Sequence, residues 1–144
     1  MIEIQPPKQI YPHNRSIFLA GTIDMGDSIN WQNSFVNLLR PYEGIIYNPR
    51  RDDWDNSWNK HSFKLQEQIR WELEAMEMAD IILYNFLPDS KSPISLLELG
   101  LYARDMAKKI IVCCPDEFYR STNIKSVCEK YFIELVQTED ELII

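Results

Sequence analysis

A doubly wound α/β domain, with a mostly parallel five-stranded sheet flanked by helices, is the fold class this sequence predicts. Three observations carry that expectation. Short runs near 16–21, 44–47, 80–85, 109–114 and 131–136 are largely apolar throughout, the form of strands buried on both faces. They alternate with segments at 31–39, 61–78, 93–107 and 121–130 that read as helices. At 144 residues the chain is the size of one domain, expected to run over 1–144.

The elements follow in order. Residues 1–14 are Pro-broken and polar and read as an irregular arm. SIFLAG, at 16–21, ends on glycine like a buried strand entering a tight turn. Residues 24–30 form a polar turn, and the apolar positions 31, 35, 38 and 39 share a helical face that Pro41 terminates. A second strand at 44–47 leads into NPRRDDWDNSWN, a long polar loop at 48–59 carrying two tryptophans. A long helix spans 61–78, a third strand 80–85 and a loop LPDSKS, with Ser92 and Pro93 as N-cap and first position of the next helix. The strand at 109–114, a helix over 121–130 and a strand over 131–136 complete the pattern. Right-handed crossovers make this an open doubly wound sheet, whose ligands bind outside the carboxyl ends of the strands. Segments 21–30, 48–59, 85–95 and 115–123 lie there.

Composition excludes several classes. The net charge of −7 argues against a nucleic-acid polymer as partner. No apolar run approaches the length of a membrane span, and the polar N-terminal segment does not read as a secretory signal, so a cytoplasmic protein is expected. Three cysteines, two adjacent in an apolar run, read as reduced core residues. His13 and His61 pair with no cysteine at zinc spacing, so no metal is expected.

Two carboxylates stand where apolar side chains are expected. On the 61–78 helix, Leu65, Ile69, Leu73 and Met76 define an apolar stripe, and Glu72 falls inside it. In SPISLLELGLYA, Ile94, Leu97 and Leu101 share a face that includes Glu98. Gly100, inside the same helix, costs about 1 kcal/mol against alanine, which points to a close approach of backbone or ligand. A pairing partner such as Arg70 or Arg104 is the structural explanation for Glu72. The functional one is a nucleophile and an acid–base partner: an ionised carboxylate attacks an electrophilic sugar carbon, while a buried carboxyl with a raised pKa protonates the leaving group.

FLAGTI at 18–23, NPRRDDW at 48–54, WELEAMEMADIILY at 71–84 and ISLLELGLYA at 94–103, in that order and spacing, resemble the nucleoside 2-deoxyribosyltransferase family in its short, type II-like branch. The resemblance implies a flavodoxin- or Rossmann-like fold. It implies nucleobase exchange on 2′-deoxynucleosides by a retaining double displacement, a glycosyltransfer of nucleotide salvage that needs no cofactor. Glu98 would be the nucleophile and Glu72, where many members carry aspartate, would assist proton transfer near the base. Gly21, Thr22 and Ile23 match the loop lining the pocket; Ser92 stands where longer members carry a substrate-binding aspartate; Asn123 matches a residue reaching the sugar 5′ end of a neighbouring subunit's site. Such members are homo-oligomers, dimers or hexamers, with shared sites. From the residues themselves, Trp54 offers a stacking face for a base and Arg51 and Asp53 offer groups to read its edge. Ser95, one turn before Glu98, joins the substrate-binding candidates.

Two other readings compete. An N-glycosidic hydrolase of nucleosides or their 5′-monophosphates shares the nucleophile but passes the sugar to water. Asp24 and Asp27 in the first loop disfavour a 5′-phosphate. A non-enzymatic receiver-like or flavin-binding domain is the other. It lacks support because the third strand ends in Tyr84-Asn85-Phe86, with no acid to accept a phosphoryl group.

Overall fold

The computed structural model describes residues 1–24, 27–55 and 57–143, so positions 25, 26 and 56 of the two expected loops, and 144 of the expected domain, lie outside the described residues. The elements run β1 (Ile2–Ile4), β2 (Ser16–Gly21), α1 (Trp31–Leu39), β3 (Ile45–Tyr47), α2 (Phe63–Met78), β4 (Ile81–Asn85), α3 (Pro93–Tyr102), β5 (Lys109–Cys113), α4 (Ser121–Lys130), β6 (Glu134–Val136) and α5 (Glu139–Ile143). The strands form one six-stranded sheet in the order β1-β3-β2-β4-β5-β6, parallel at every pairing. The doubly wound α/β class therefore holds. The order turns back on either side of β2, which places the switch point between the carboxyl ends of β2 and β4.

Strand alternation divides the core. Leu19, Ile46 and Leu83 pack with Trp31, Phe35 and Val36 of α1, and Leu142 of α5 joins them. On the other face Phe18, Ala20, Ile82, Tyr84 and Val112 pack against Trp71, Ala75 and Met76 of α2, Leu99 and Tyr102 of α3, and Ile124 and Cys128 of α4. Both faces are covered, which is why the strands are apolar throughout. The thiols of Cys113, Cys114 and Cys128 are all buried and free, and burial pushes each one up, away from reactivity.

Several expectations need correction. The arm at 1–14 is not wholly irregular: Ile2, Glu3 and Ile4 pair with Ile45, Ile46 and Tyr47, giving the sheet a sixth strand at its edge. The third helix stops at Tyr102 rather than 107, because Asp105 turns the chain: its amide reaches the Tyr102 carbonyl and its Oδ1 accepts from Ala107 N at 2.9 Å. Residues 139–143 form a short helix that the apolar pattern did not reveal.

The apolar stripes also differ. α2 buries Gln68, Trp71, Ala75 and Met76, whereas Ile69 and Leu73 are exposed. α3 buries Ser95, Glu98, Leu99 and Tyr102, leaving Ile94, Leu97 and Leu101 58%, 68% and 60% exposed. Glu98 thus lies on the buried face, opposite the apolar row expected to surround it. Gly100 has open space around it, so no close approach among the described residues explains it.

Candidate active site

The site is built at the carboxyl end of the sheet from three loops and two helices. β2 ends at Gly21, whose φ of +123° suits glycine alone. A Cβ there would lie 2.1 Å from the Asn85 carbonyl oxygen, so the absence of a side chain lets the ends of β2 and β4 meet. Thr22 N then donates to Asn85 O at 2.9 Å. Asn85 is tied in turn to Glu139 of α5, at 2.9 Å.

A chain of buried hydroxyls crosses this junction. Thr22 Oγ1 lies 2.7 Å from Ser92 Oγ, which lies 2.9 Å from Ser90 Oγ, and Ser90 Oγ donates to Asp24 Oδ1 at 2.7 Å. Ser95 Oγ donates to Gly21 O at 2.8 Å and fastens the first turn of α3 to β2. Pro93 begins α3 as expected, but Ser92 does not cap it: its hydroxyl is spent on Thr22 and Ser90, and its backbone sits at φ +45°. A non-glycine residue in the left-handed region costs on the order of 1 kcal/mol, a strain typical of functional turns.

The loop after β3 carries two buried arginines with different duties. Arg50 reaches the loop after β2: Nη1 donates to Ser28 Oγ at 3.2 Å, Ile29 O at 2.9 Å and Gln32 Oε1 at 3.2 Å, and Nη2 donates to Ser28 O. Arg51 pairs with Asp53 through two bonds, Nε–Oδ1 at 2.6 Å and Nη2–Oδ2 at 3.0 Å, and the guanidinium holds the Asp53 carboxyl well below its usual range, to about 2. Its Nη1 also donates to Gln68 Oε1 at 3.4 Å, and its guanidinium lies over Trp58, 5.2 Å from the ring centroid. The Trp58 ring is 5.2 Å from that of Trp54, whose buried Nε1–H has no hydrogen-bond partner among the described residues.

Glu98, in the second turn of α3, is 8% exposed. Burial pushes its carboxyl up, and the charge of Glu72 across on α2 pushes it further. Burial likewise raises Glu72, which Gln68 partly offsets by donating Nε2–H to Glu72 Oε1 at 3.1 Å. Two carboxyls that both resist ionisation and feel each other's charge titrate as a pair, so the first to ionise delays the second. Neither pairs with a cation among the described residues; the expected structural partners of Glu72, Arg70 and Arg104, are not used. Tyr84, fully buried on β4, is an electrostatic neighbour of Glu98, and its hydroxyl has no partner among the described residues.

The structure gathers most of the sequence candidates into two bonded groups. Gly21, Thr22, Ser92 and Ser95 meet directly, and Asp53, Arg51, Gln68 and Glu72 form one bonded series. Ile23 joins the rim through its carbonyl, which accepts from Ser28. Asn123 stands apart, exposed on the first turn of α4 and outside these bonds. Gln68, Tyr84, Ser90 and Trp58 were missed. Gln68 was discoverable as the residue four before Glu72 on one helix, and Tyr84 as the polar-headed side chain directly after the aliphatic run at 81–83. Two recesses of about 230 and 330 Å³ lie elsewhere, one under α1 and one at the starts of β2 and β4, where Asp80 is already bonded to Ser16 at 3.2 Å. Among the described residues no group of three or more His, Cys, Asp or Glu could hold a metal ion, and no helix is long and apolar enough to cross a membrane.

A parallel α/β domain with a buried hydroxyl cluster at its switch point and two electrostatically coupled carboxyls on the neighbouring helices carries polar groups where such folds bind ligands. Residues 14–118 match the family described as nucleoside 2-deoxyribosyltransferase like. The chain belongs to that family. No curated protein matches it.

Proposed function

We propose that the protein is a nucleoside 2-deoxyribosyltransferase, acting as one domain in the cytoplasm and exchanging the base of a 2′-deoxynucleoside for a free nucleobase. The observation that carries this reading is the Glu98–Glu72 pair, one buried and one half-buried carboxyl that feel each other's charge, with no cation paired to either among the described residues. In the one-proton state of the pair with Glu98 ionised and the proton on Glu72, a Glu98 oxygen attacks C1′, the C1′–N bond breaks, and its electron pair leaves with the base. Glu72 supplies the proton that the departing base takes up. The sugar remains as an ester on Glu98. A nitrogen of the second base then attacks C1′, the ester bond breaks to restore the Glu98 carboxylate, and Glu72 recovers a proton from the incoming base. Two inversions give net retention. In this reading Thr22, Ser92 and Ser95, with Gly21 and Ile23, shape the sugar end, while Trp54 stacks on the base beside Arg51 and Asp53.

Transfer is favoured over hydrolysis of a 5′-monophosphate by Asp24, whose carboxylate is bonded into the hydroxyl cluster where a phosphate would be repelled. The decisive experiment is incubation with a 2-fluoro-2-deoxyarabinosyl nucleoside followed by peptide mass spectrometry. The expected adduct sits on the peptide containing Glu98. An unmodified protein, or an adduct elsewhere, rejects the mechanism. Deoxyinosine with and without adenine separates the reactions: free deoxyribose regardless of acceptor would make the protein a hydrolase.

The active form in this reading is a homo-oligomer. Ile94, Leu97 and Leu101 make an exposed row on α3, and Ile69 and Leu73 are exposed on α2, on the same side of the sheet. Gly100 lies within the α3 surface, where a second helix could approach closely. Leu97→Glu is expected to reduce the sedimenting mass to that of one chain and to lower exchange at least tenfold. A native protein that sediments as a monomer would remove the shared-site part of the proposal. Asn123, distant from the bonded cluster, would then also lose its suggested role across a subunit boundary.

A further inference from the structure

Gln68 is 1% exposed, and each polar atom of its amide is committed. Its Oε1 faces Arg51 Nη1 at 3.4 Å; its Nε2 donates to Pro49 O at 2.8 Å and to Glu72 Oε1 at 3.1 Å. Arg51 can only donate and a backbone carbonyl can only accept, so the orientation of the amide is dictated by its neighbours rather than by Glu72. An amide turned the other way would set Oε1 against the Pro49 carbonyl and NH₂ against the guanidinium. The consequence falls on Glu72. The amide N–H is aimed at Glu72 Oε1, at 3.1 Å, and a carboxyl oxygen that accepts from an N–H is a poor place for the acid proton.

We propose that Gln68 is a positioning residue that confines the transferable proton of Glu72 to Oε2, so that the acid presents one defined oxygen to the base. This rests on the deoxyribosyl-transfer reading for its role in catalysis, but the amide–carboxyl coupling is measurable without substrate. Arg51, braced by Asp53 and by the Trp58 face, fixes the amide from the loop; Glu67 lies 3.8 Å from the same guanidinium; Glu98 faces Glu72 from α3, and Tyr84 and Tyr102 face Glu98. A donor to Glu72 stabilises its ionised form, so losing that donor raises the carboxyl's titration.

The test is ¹³C NMR of the glutamate side-chain carboxyls in the substrate-free protein, with Glu72 assigned by loss of its signal in Glu72→Gln. In Gln68→Met the Glu72 midpoint should move upward by about half a unit or more, on the order of one lost hydrogen bond. Gln68→Glu, which keeps an oxygen for Arg51 but removes the N–H, should move it the same way. In the native chain the Gln68 side-chain NH₂ signals should follow the Glu72 midpoint. A folded variant with an unmoved midpoint, or native NH₂ signals that ignore Glu72, overturns the proposal. Should the native protein fail to exchange bases while these shifts appear, the functional reading falls and the coupling stands. In an active enzyme, Gln68→Met should lower kcat at least tenfold with KM changed less than threefold, and move the alkaline limb of the pH–rate profile upward.

Discussion

Glu98→Ala is expected to lower base exchange by at least about 1,000-fold while the protein remains folded. The size of the loss follows from the proposed mechanism, in which no covalent sugar ester forms without a carboxylate at that point and Glu72 does not take over from another helix. The fold should survive because the carboxyl is held by burial rather than by an ion pair, so no buried cation is orphaned when it goes. Glu98→Gln makes a sharper control, since it keeps the volume. Both Glu98 and Glu72 are raised above the ordinary glutamate range. Their unfolded forms therefore ionise first as pH rises, and native stability erodes from the ordinary glutamate range up through the raised values, then levels off. Glu98→Gln removes part of that erosion. Thermal melts across pH should show the variant's Tm gaining on the native protein's between those limits and holding a constant lead above them. Undiminished exchange in Glu98→Ala, measured with deoxyinosine and adenine, would end the nucleophile assignment.

Gly21→Ala is expected to destabilise the protein by about 3 kcal/mol or more, lowering Tm by on the order of 10 °C. Two effects act together. The backbone at φ +123° is strained for any residue with a Cβ, and that atom would meet Asn85 O at 2.1 Å and Asn85 N at 2.6 Å. Both obstacles are backbone, so relief requires β2 and β4 to part at their carboxyl ends, where Ser95 also bonds Gly21 O. Denaturant midpoints check it; a variant as stable as the native chain would mean that this junction is loose. Exchange should fall along with stability, because the same shift displaces the first turn of α3 and Glu98 above it.

How much of this was legible depends on which force each feature answers to. Strands buried on both faces have to be apolar throughout, so β2, β4 and β5 declared themselves, and with them the parallel sheet. Glu98 was found for a partly mistaken reason. Ile94, Leu97 and Leu101 were read as its core neighbours, yet they face outward while Glu98 faces in. Apolar periodicity reports that a helix face is water-averse; it does not say whether its own sheet or another surface covers it. On α2 the same ambiguity hid a buried face that includes Gln68. β1 escaped because three residues beside a Pro-Pro pair carry too little pattern, and their pairing with β3 is a long-range event. Local rules make Ser92 a helix cap, and tertiary bonds to Thr22 and Ser90 override them. The Gln68 amide is a third kind of case, since its meaning arises only once Arg51, Pro49 and Glu72 are placed around it.

The Arg50 clasp constrains any redesign of the rim of the candidate site. The segment after β2 cannot be exchanged as a cassette, because its Ser28 and Ile29 carbonyls are acceptors for a guanidinium rooted after β3. A transplanted segment that failed to offer oxygens in the same places would strand a buried cation, a defect worth about 3 kcal/mol or more. Library design at this rim should therefore vary side chains on the existing backbone, and treat Arg50 and its acceptors as one inherited unit.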